Sequence, residues 1–108
     1  MKINTREDVL KAIADETRLK ILETLDDADS KTFIELKSKF GLLDATLSRH
    51  LKALKSTGLV SHIYERNRNQ RNPRSYSYYE ITTFGRRMLK TIRNTLSREE
   101  IKRLISEN

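Results

Sequence analysis

Between Asp44 and Arg74 the chain sets seven basic side chains, Arg49, Lys52, Lys55, Arg66, Arg68, Arg71 and Arg74, against two acidic ones. Guanidinium and ammonium groups at that density suit the neutralisation of phosphates, and an arginine fork can also bond two acceptors on a guanine edge. The seven fall into two groups. Arg49, Lys52 and Lys55 recur at three-residue spacing behind Ala45, Thr46 and Ser48, as on the polar side of a helix. The other four sit within RNRNQRNPR, interleaved with Asn67, Asn69, Gln70 and Asn72, whose amides can donate to phosphate oxygens. A basic helix that enters a groove, beside a basic loop that reaches flanking backbone or a narrow minor groove, is what gripping a duplex requires. The plain alternatives are an ordinary surface helix and a solubilising loop.

Other chemistry finds few components. The chain has no cysteine, which removes disulfides, thiolate metal sites and cysteine nucleophiles together. Its two histidines, His50 and His62, have no acidic residue at a metal-site spacing, so no metal ligand is expected. His50 stands next to Leu51 and three residues from Leu47, either at the edge of the core or on a phosphate. With three glycines in all there is no phosphate-cradling loop, and no nucleophile elbow either. No catalytic residue, enzyme activity or cofactor is expected.

At 108 residues and 36% apolar content the chain is read as one domain with a modest core. No apolar run approaches the roughly 20 residues that span a bilayer. MKINTREDVL lacks an apolar signal region, so a cytoplasmic setting is expected. The net charge of +7 is uneven: residues 1–54 hold ten basic and ten acidic side chains, residues 55–108 twelve and five. That asymmetry points to a polyanionic partner, nucleic acid ahead of membrane.

The elements that must position the basic groups follow from periodicity. Val9, Leu10 and Ile13 repeat at helical spacing behind an acidic start, which predicts a first helix over 5–14. Asp15 can cap a second, DETRLKILETL, with Leu19, Leu22 and Leu25 on one side and Ile21 alongside. Asp26 to Ser30 reads as a polar turn. Thr32 and Glu35 form a capping box for a third helix whose stripe is Phe33, Leu36 and Phe40, closed by Gly41 as a left-handed cap. Asp44 is the next cap candidate, and Leu47, Leu51 and Leu54 line one face of the helix that Gly58 stops. The pattern then turns to alternation over 59–64 and 75–81, a hairpin with an extended tip that should be mobile before binding. Thr82 or Thr83 opens a fifth helix with Met88, Leu89, Ile92 and Leu96 on its apolar side. Ser97 with Glu100 boxes the start of a sixth, carrying Ile101, Leu104 and Ile105.

This order is a mainly α fold with a small β-hairpin (α+β), a winged helix-turn-helix: the helix-turn-helix over about 32–57, the wing over about 59–81, and further helices over about 82–108. The residues also resemble a known family. ADETRLKILETL resembles the D-x-T-R-L-x-I-L motif of the arsenical-repressor (ArsR-type) family. LSRHLKALKSTGLV resembles its recognition-helix signature S-x-H-L-x-x-L-x-x-x-G-L-V. YYEITTFGRRML resembles the ending Y-x-L-T-x-x-G shared with MarR-type regulators. The three cover about residues 14–90 in order.

The resemblance implies a homodimeric, DNA-binding transcription regulator, usually a repressor, whose outer helices form the dimer interface. The family's metal sensors often carry a cysteine-rich motif or a histidine and aspartate set on the last helix. This chain has neither, and its effector is left open.

On that basis Ala45, Thr46, Ser48 and Arg49 are expected at base edges, with His50, Lys52 and Lys55 beside them and the two lysines on phosphates. Arg66, Arg68, Arg71 and Arg74 are expected on backbone or minor groove. Tyr76, Tyr78 and Tyr79 read either as a stacking platform for single-stranded bases or, more simply, as half-buried core, with Tyr76 near enough to the tip to touch DNA. Val9, Leu10, Ile13, Met88, Ile92, Leu96, Ile101, Leu104 and Ile105 are expected to cover one another across a two-fold axis, with helix 6 folding back in a monomer as the competing view. The rivals to sequence-specific regulation are a non-specific architectural DNA-binding protein of the same fold and an RNA- or protein-binding winged helix.

Overall fold

The computed structural model describes residues 5–66 and 75–95, with positions 100, 103 and 106. Among the described residues five helices and one hairpin run in the order α1 (Arg6–Ile13), α2 (Glu16–Ala28), α3 (Phe33–Phe40), α4 (Asp44–Ser56), β1 (Val60–Arg66), β2 (Ser75–Ile81) and α5 (Thr83–Thr95). The strands pair antiparallel from Val60 opposite Ile81 out to Arg66 opposite Ser75. Lys31 adds a one-residue third strand: its N–H donates to the Tyr79 carbonyl at 3.0 Å and its carbonyl accepts from the Tyr79 N–H at 2.7 Å. The architecture is a winged helix-turn-helix.

Local chemistry sets the helix starts. Thr5 accepts from the Asp8 N–H while the Asp8 carboxylate accepts from the Thr5 N–H, a capping box that opens α1. Asp15 caps α2 by accepting from the Arg18 N–H. Thr32 and Glu35 form the expected box on α3, and those bonds hold the Glu35 carboxyl below its ordinary pKa. Gly41 closes α3 at φ 61°, a left-handed conformation that glycine adopts without penalty.

Two expectations need correction. The polar run after Leu25 is not a turn: α2 continues through Ala28 and ends at Asp29 with φ 65°. Its last turn is held from α5, where Arg86 reaches Asp26 at 3.1 Å and Arg93 reaches Asp26 and Glu23 at 3.4 Å each. Asp44 is not the cap of α4. It is the first helical residue, bonded to Lys37 of α3 at 2.7 Å, and the cap position falls to Leu43, which supplies no side-chain bond. Serine, threonine, aspartate and asparagine stabilise that position where leucine cannot. Leu43→Ser is therefore expected to raise stability by about 1 kcal/mol, read as a higher urea midpoint; an unchanged midpoint would show that the first turn of α4 needs no cap.

The core gathers around α2, which packs against α1, α4, α5 and β2. Ile21, Leu22 and Leu25 of α2, Leu36 of α3, Leu47 and Leu54 of α4, Leu59 before β1, and Leu89 of α5 are all buried. Each contributes roughly 2 kcal/mol of apolar burial. Phe33 and Phe40, expected in the buried stripe of α3, are only half-buried and pack on its edge. At the base of the hairpin the Thr82 hydroxyl donates to the Gly58 carbonyl at 2.6 Å and accepts from the Gly85 N–H at 2.9 Å, which starts α5. Gly85 is required there: a Cβ would fall on the Leu59 carbonyl oxygen and within 2.9 Å of Ile81 Cγ1.

Candidate nucleic-acid interface

α4 is anchored on one side and open on the other. Leu47, Leu51 and Leu54 are at most 2% exposed, locked against α2, α3 and β1. Ala45, Ser48, Arg49, Lys52 and Lys55 are exposed and Thr46 is half-buried, as the seven-residue spacing of the leucines dictates. The helix has one carboxylate, Asp44, and Lys37 neutralises it. Among the described residues Arg49, Lys52 and Lys55 have no acidic partner within ion-pair distance. The exposed side of α4 is thus a strip of uncompensated positive charge beside two hydroxyls and a methyl.

The hairpin base adjoins the C-terminal end of that strip. Lys55 lies near enough to His62 of β1 for its charge to oppose protonation, a smaller effect than burial of the ring, and together they lower the His62 pKa. His62 stacks on Tyr79 with centroids 4.1 Å apart and tilts against Tyr64 at 4.2 Å. Its Nε2 is buried without a hydrogen-bond partner. Tyr79 is 9% exposed, and burial, then the neighbouring Tyr64, raises its pKa. It belongs to the core, as the simpler reading had it. Tyr78 donates to Glu65 at 2.7 Å. Tyr64, which the sequence did not single out, is 68% exposed on the same face as His62.

The structure treats the other expected residues unequally. Arg66 and Tyr76 pair in the hairpin through Ser75 and Glu65, but only their backbones are described. Arg68, Arg71 and Arg74 lie outside the described residues, as do Leu96, Ile101, Leu104 and Ile105. Of the apolar residues expected between subunits, Ile13 is 6% exposed and belongs to the core cluster of this chain. Val9, Met88 and Ile92 are half-buried on the core edge, and Leu10 is 56% exposed. Among the described residues no group of three metal-ligating side chains comes together.

His50 takes the first of the two positions open to it, at the edge of the core. It is not on the open strip but turned inward, its side chain 16% exposed, with Nδ1 3.4 Å from Arg18 Nη1 and 4.0 Å from Asp15 Oδ1. Burial lowers its pKa, Asp15 opposes that, and Arg18 and Arg49 add to it. Asp15 and Arg18 bring the DETR segment of α2 to the site, and nothing local in that segment marks them as partners of His50.

Comparison with known proteins gives this arrangement relatives. A family model for bacterial regulatory proteins of the arsR family matches residues 15–62, from the cap of α2 to β1. No curated protein matches the sequence. Among solved structures, HlyU from Vibrio cholerae is 31% identical over 81% of this chain and 86% of its own, with a TM-score of 0.60. Rv0081 from M. tuberculosis is 28% identical over 88% of both chains, with a TM-score of 0.65. A mutant MarR from E. coli, complexed with operator DNA, shares the fold at 22% identity over 82% of this chain and 60% of its own, with a TM-score of 0.62.

Proposed function

We propose that this chain, which belongs to the arsR family of bacterial regulatory proteins, binds a specific duplex DNA site as a homodimer and represses transcription from it. The observation that carries the reading is the open side of α4, where Ala45, Ser48, Arg49, Lys52 and Lys55 stand exposed above three buried leucines and the one carboxylate is already paired. Early residues of a recognition helix reach base edges and later ones the backbone. Thr46, Ser48 and Arg49 would read bases, Ala45 a thymine methyl, and Lys52 and Lys55 phosphates. The wing arginines, Arg66, Arg68, Arg71 and Arg74, with Tyr76, would follow flanking backbone or minor groove. The chain acts as one domain in this reading and has no catalytic role.

Leu10 on α1, half-buried Met88 and Ile92 on α5, and the apolar residues that follow in sequence support a two-fold partner. Such a dimer would place two copies of α4 about 34 Å apart, one turn of the duplex. Among the described residues no helix is long and apolar enough to cross a membrane. Selection of bound sequences from a random duplex pool tests the reading. A palindromic product is expected. Enrichment of no sequence would favour an architectural protein, and preference for single-stranded RNA over duplex DNA would place the chain in a different class.

A further inference from the structure

A polar knot joins α4 to the corner between α1 and α2, and no role described so far uses it. Arg18 Nε donates to the Ala12 carbonyl at 2.7 Å and Nη2 to the Lys11 carbonyl at 3.1 Å. Those carbonyls belong to the last turn of α1, where the helix itself leaves acceptors unpaired. The remaining nitrogen, Nη1, faces His50 Nδ1 at 3.4 Å, thirty-two residues away in sequence. A guanidinium has only hydrogens to offer, so Nδ1 must accept and the ring must be neutral with its proton on Nε2. One planar group therefore spans three partners on two helices. His50 is the neighbour of Arg49, and its ring sits on the inner side of α4.

We propose that Arg18 is a positioning residue for α4: it ties the middle of that helix to the end of α1 through His50, and protonation of His50 releases the tie. The proposal rests on the reading of α4 as the helix that enters DNA. Charging the ring turns the acceptor at Nδ1 into a donor and brings two cations to hydrogen-bond distance. The ring must then leave Arg18. Among the described residues Asp15 is the one carboxylate within ion-pair distance of the ring, and its Oδ1, 4.0 Å from Nδ1, already accepts from the Arg18 N–H as the cap of α2. The charged groups around the imidazole are Asp15 and Arg18 from α2 and Arg49 from α4; α1 takes part through the two carbonyls that Arg18 holds.

The sign of the pH effect follows. Burial of the ring first, then Arg18 and Arg49, against the pull of Asp15, put the folded-state pKa of His50 below its ordinary value. The unfolded chain therefore takes up the proton first as pH falls, from about 6.5 downward. The tie is complete above that pH and is lost on acidification. A histidine that instead touched a phosphate would do the opposite, gaining charge and tightening DNA in acid.

The test is DNA affinity by fluorescence anisotropy at constant ionic strength, from about pH 7.5 to about pH 5.5, a window in which few groups other than histidine titrate. The duplex is one selected by the wild-type protein. Wild type should weaken several-fold on acidification, since a lowered pKa leaves the ring only partly charged at the lower pH. His50→Asn keeps an acceptor oxygen where Nδ1 stands; it should match wild type at the upper pH and show a flat profile. His62→Gln should keep the wild-type profile. Arg18→Lys, which cannot span three partners, should bind weakly at every pH while its thermal unfolding stays cooperative.

A wild-type profile retained by His50→Asn would overturn the proposal, as would a flat wild-type profile or one that tightens in acid. Should wild type select no duplex at all, the proposed function fails instead, and the tie is read in the free protein. Nitrogen shifts of His50 must then show Nδ1 unprotonated at the upper pH, and α4 amide exchange must speed up in acid for wild type but not for His50→Asn. If either is missing, the tie itself is refuted.

Discussion

Gly85→Ala is expected to destabilise the protein by about 3 kcal/mol, a large share of the 5–15 kcal/mol typical of a folded domain. The added Cβ meets the Leu59 carbonyl and Ile81, and the carbonyl is not free to yield. It already accepts from the Thr82 N–H at 3.1 Å and from the Thr82 hydroxyl at 3.2 Å, and those bonds join β1 to the start of α5. Overpacking against backbone costs about 1–3 kcal/mol and each strained hydrogen bond about 1 more, whereas the better helix propensity of alanine returns only about 1 kcal/mol. Crowding wins. Thermal unfolding should fall by on the order of 15 °C for a domain of this size.

Gly41→Ala is the matched control. Its φ of 61° imposes strain but its Cβ would meet nothing within 4 Å, so the loss should be about 1 kcal/mol. Equal losses at the two positions would mean that the Leu59 carbonyl can move aside, and that the helix-to-hairpin joint is softer than the geometry implies.

The second large effect separates two kinds of basic residue. Arg49→Ala should cost about 1–3 kcal/mol on the preferred duplex and much less on a random one, because a bidentate contact to one base pair is lost. Arg68→Ala should weaken both duplexes alike and reduce the slope of log affinity against log salt by about 0.9, one phosphate's share of released counterions. Titrations of both variants on both duplexes between low and moderate salt decide the matter. Identical behaviour on specific and random DNA would remove Arg49 from base reading and leave α4 as an electrostatic contact only. The exposure of Arg49 and the absence of an acidic partner among the described residues are what make the specific outcome the expected one.

How far the sequence announced this structure depends on how far apart the interacting residues are. The box of Thr32 and Glu35 and the left-handed Gly41 were readable because both partners lie within one turn. The box at Thr5 escaped notice because aspartate, not glutamate, stands at its third position. The last turn of α2 looked like a loop because Asp26 and Asp27 favour turns; the cations that hold it helical, Arg86 and Arg93, come from the other end of the chain. Asp44 is a better intrinsic cap than Leu43, yet it stands one residue inside the helix, where it pairs with Lys37.

The open strip of α4 was legible because three leucines at helical spacing fix which side is left over. The core-edge position of His50 was one of two left open by its leucine neighbours, but its partner was not legible, because Arg18 comes from another helix. Nothing local distinguishes a histidine that meets solvent from one that meets an arginine. Gly85 falls between the two cases: the sequence motif located it, and only the path of the Leu59 carbonyl supplies the reason.

The acids of α2 that receive Arg86 and Arg93 have a further consequence. They quench part of the positive charge on α5, while among the described residues Arg49, Lys52 and Lys55 of α4 have no acidic partner, so the charge of the described residues is unevenly placed. Near a polyanion such a body experiences torque before it experiences contact. The protein would drift in already rotated, and fewer of its collisions would be wasted.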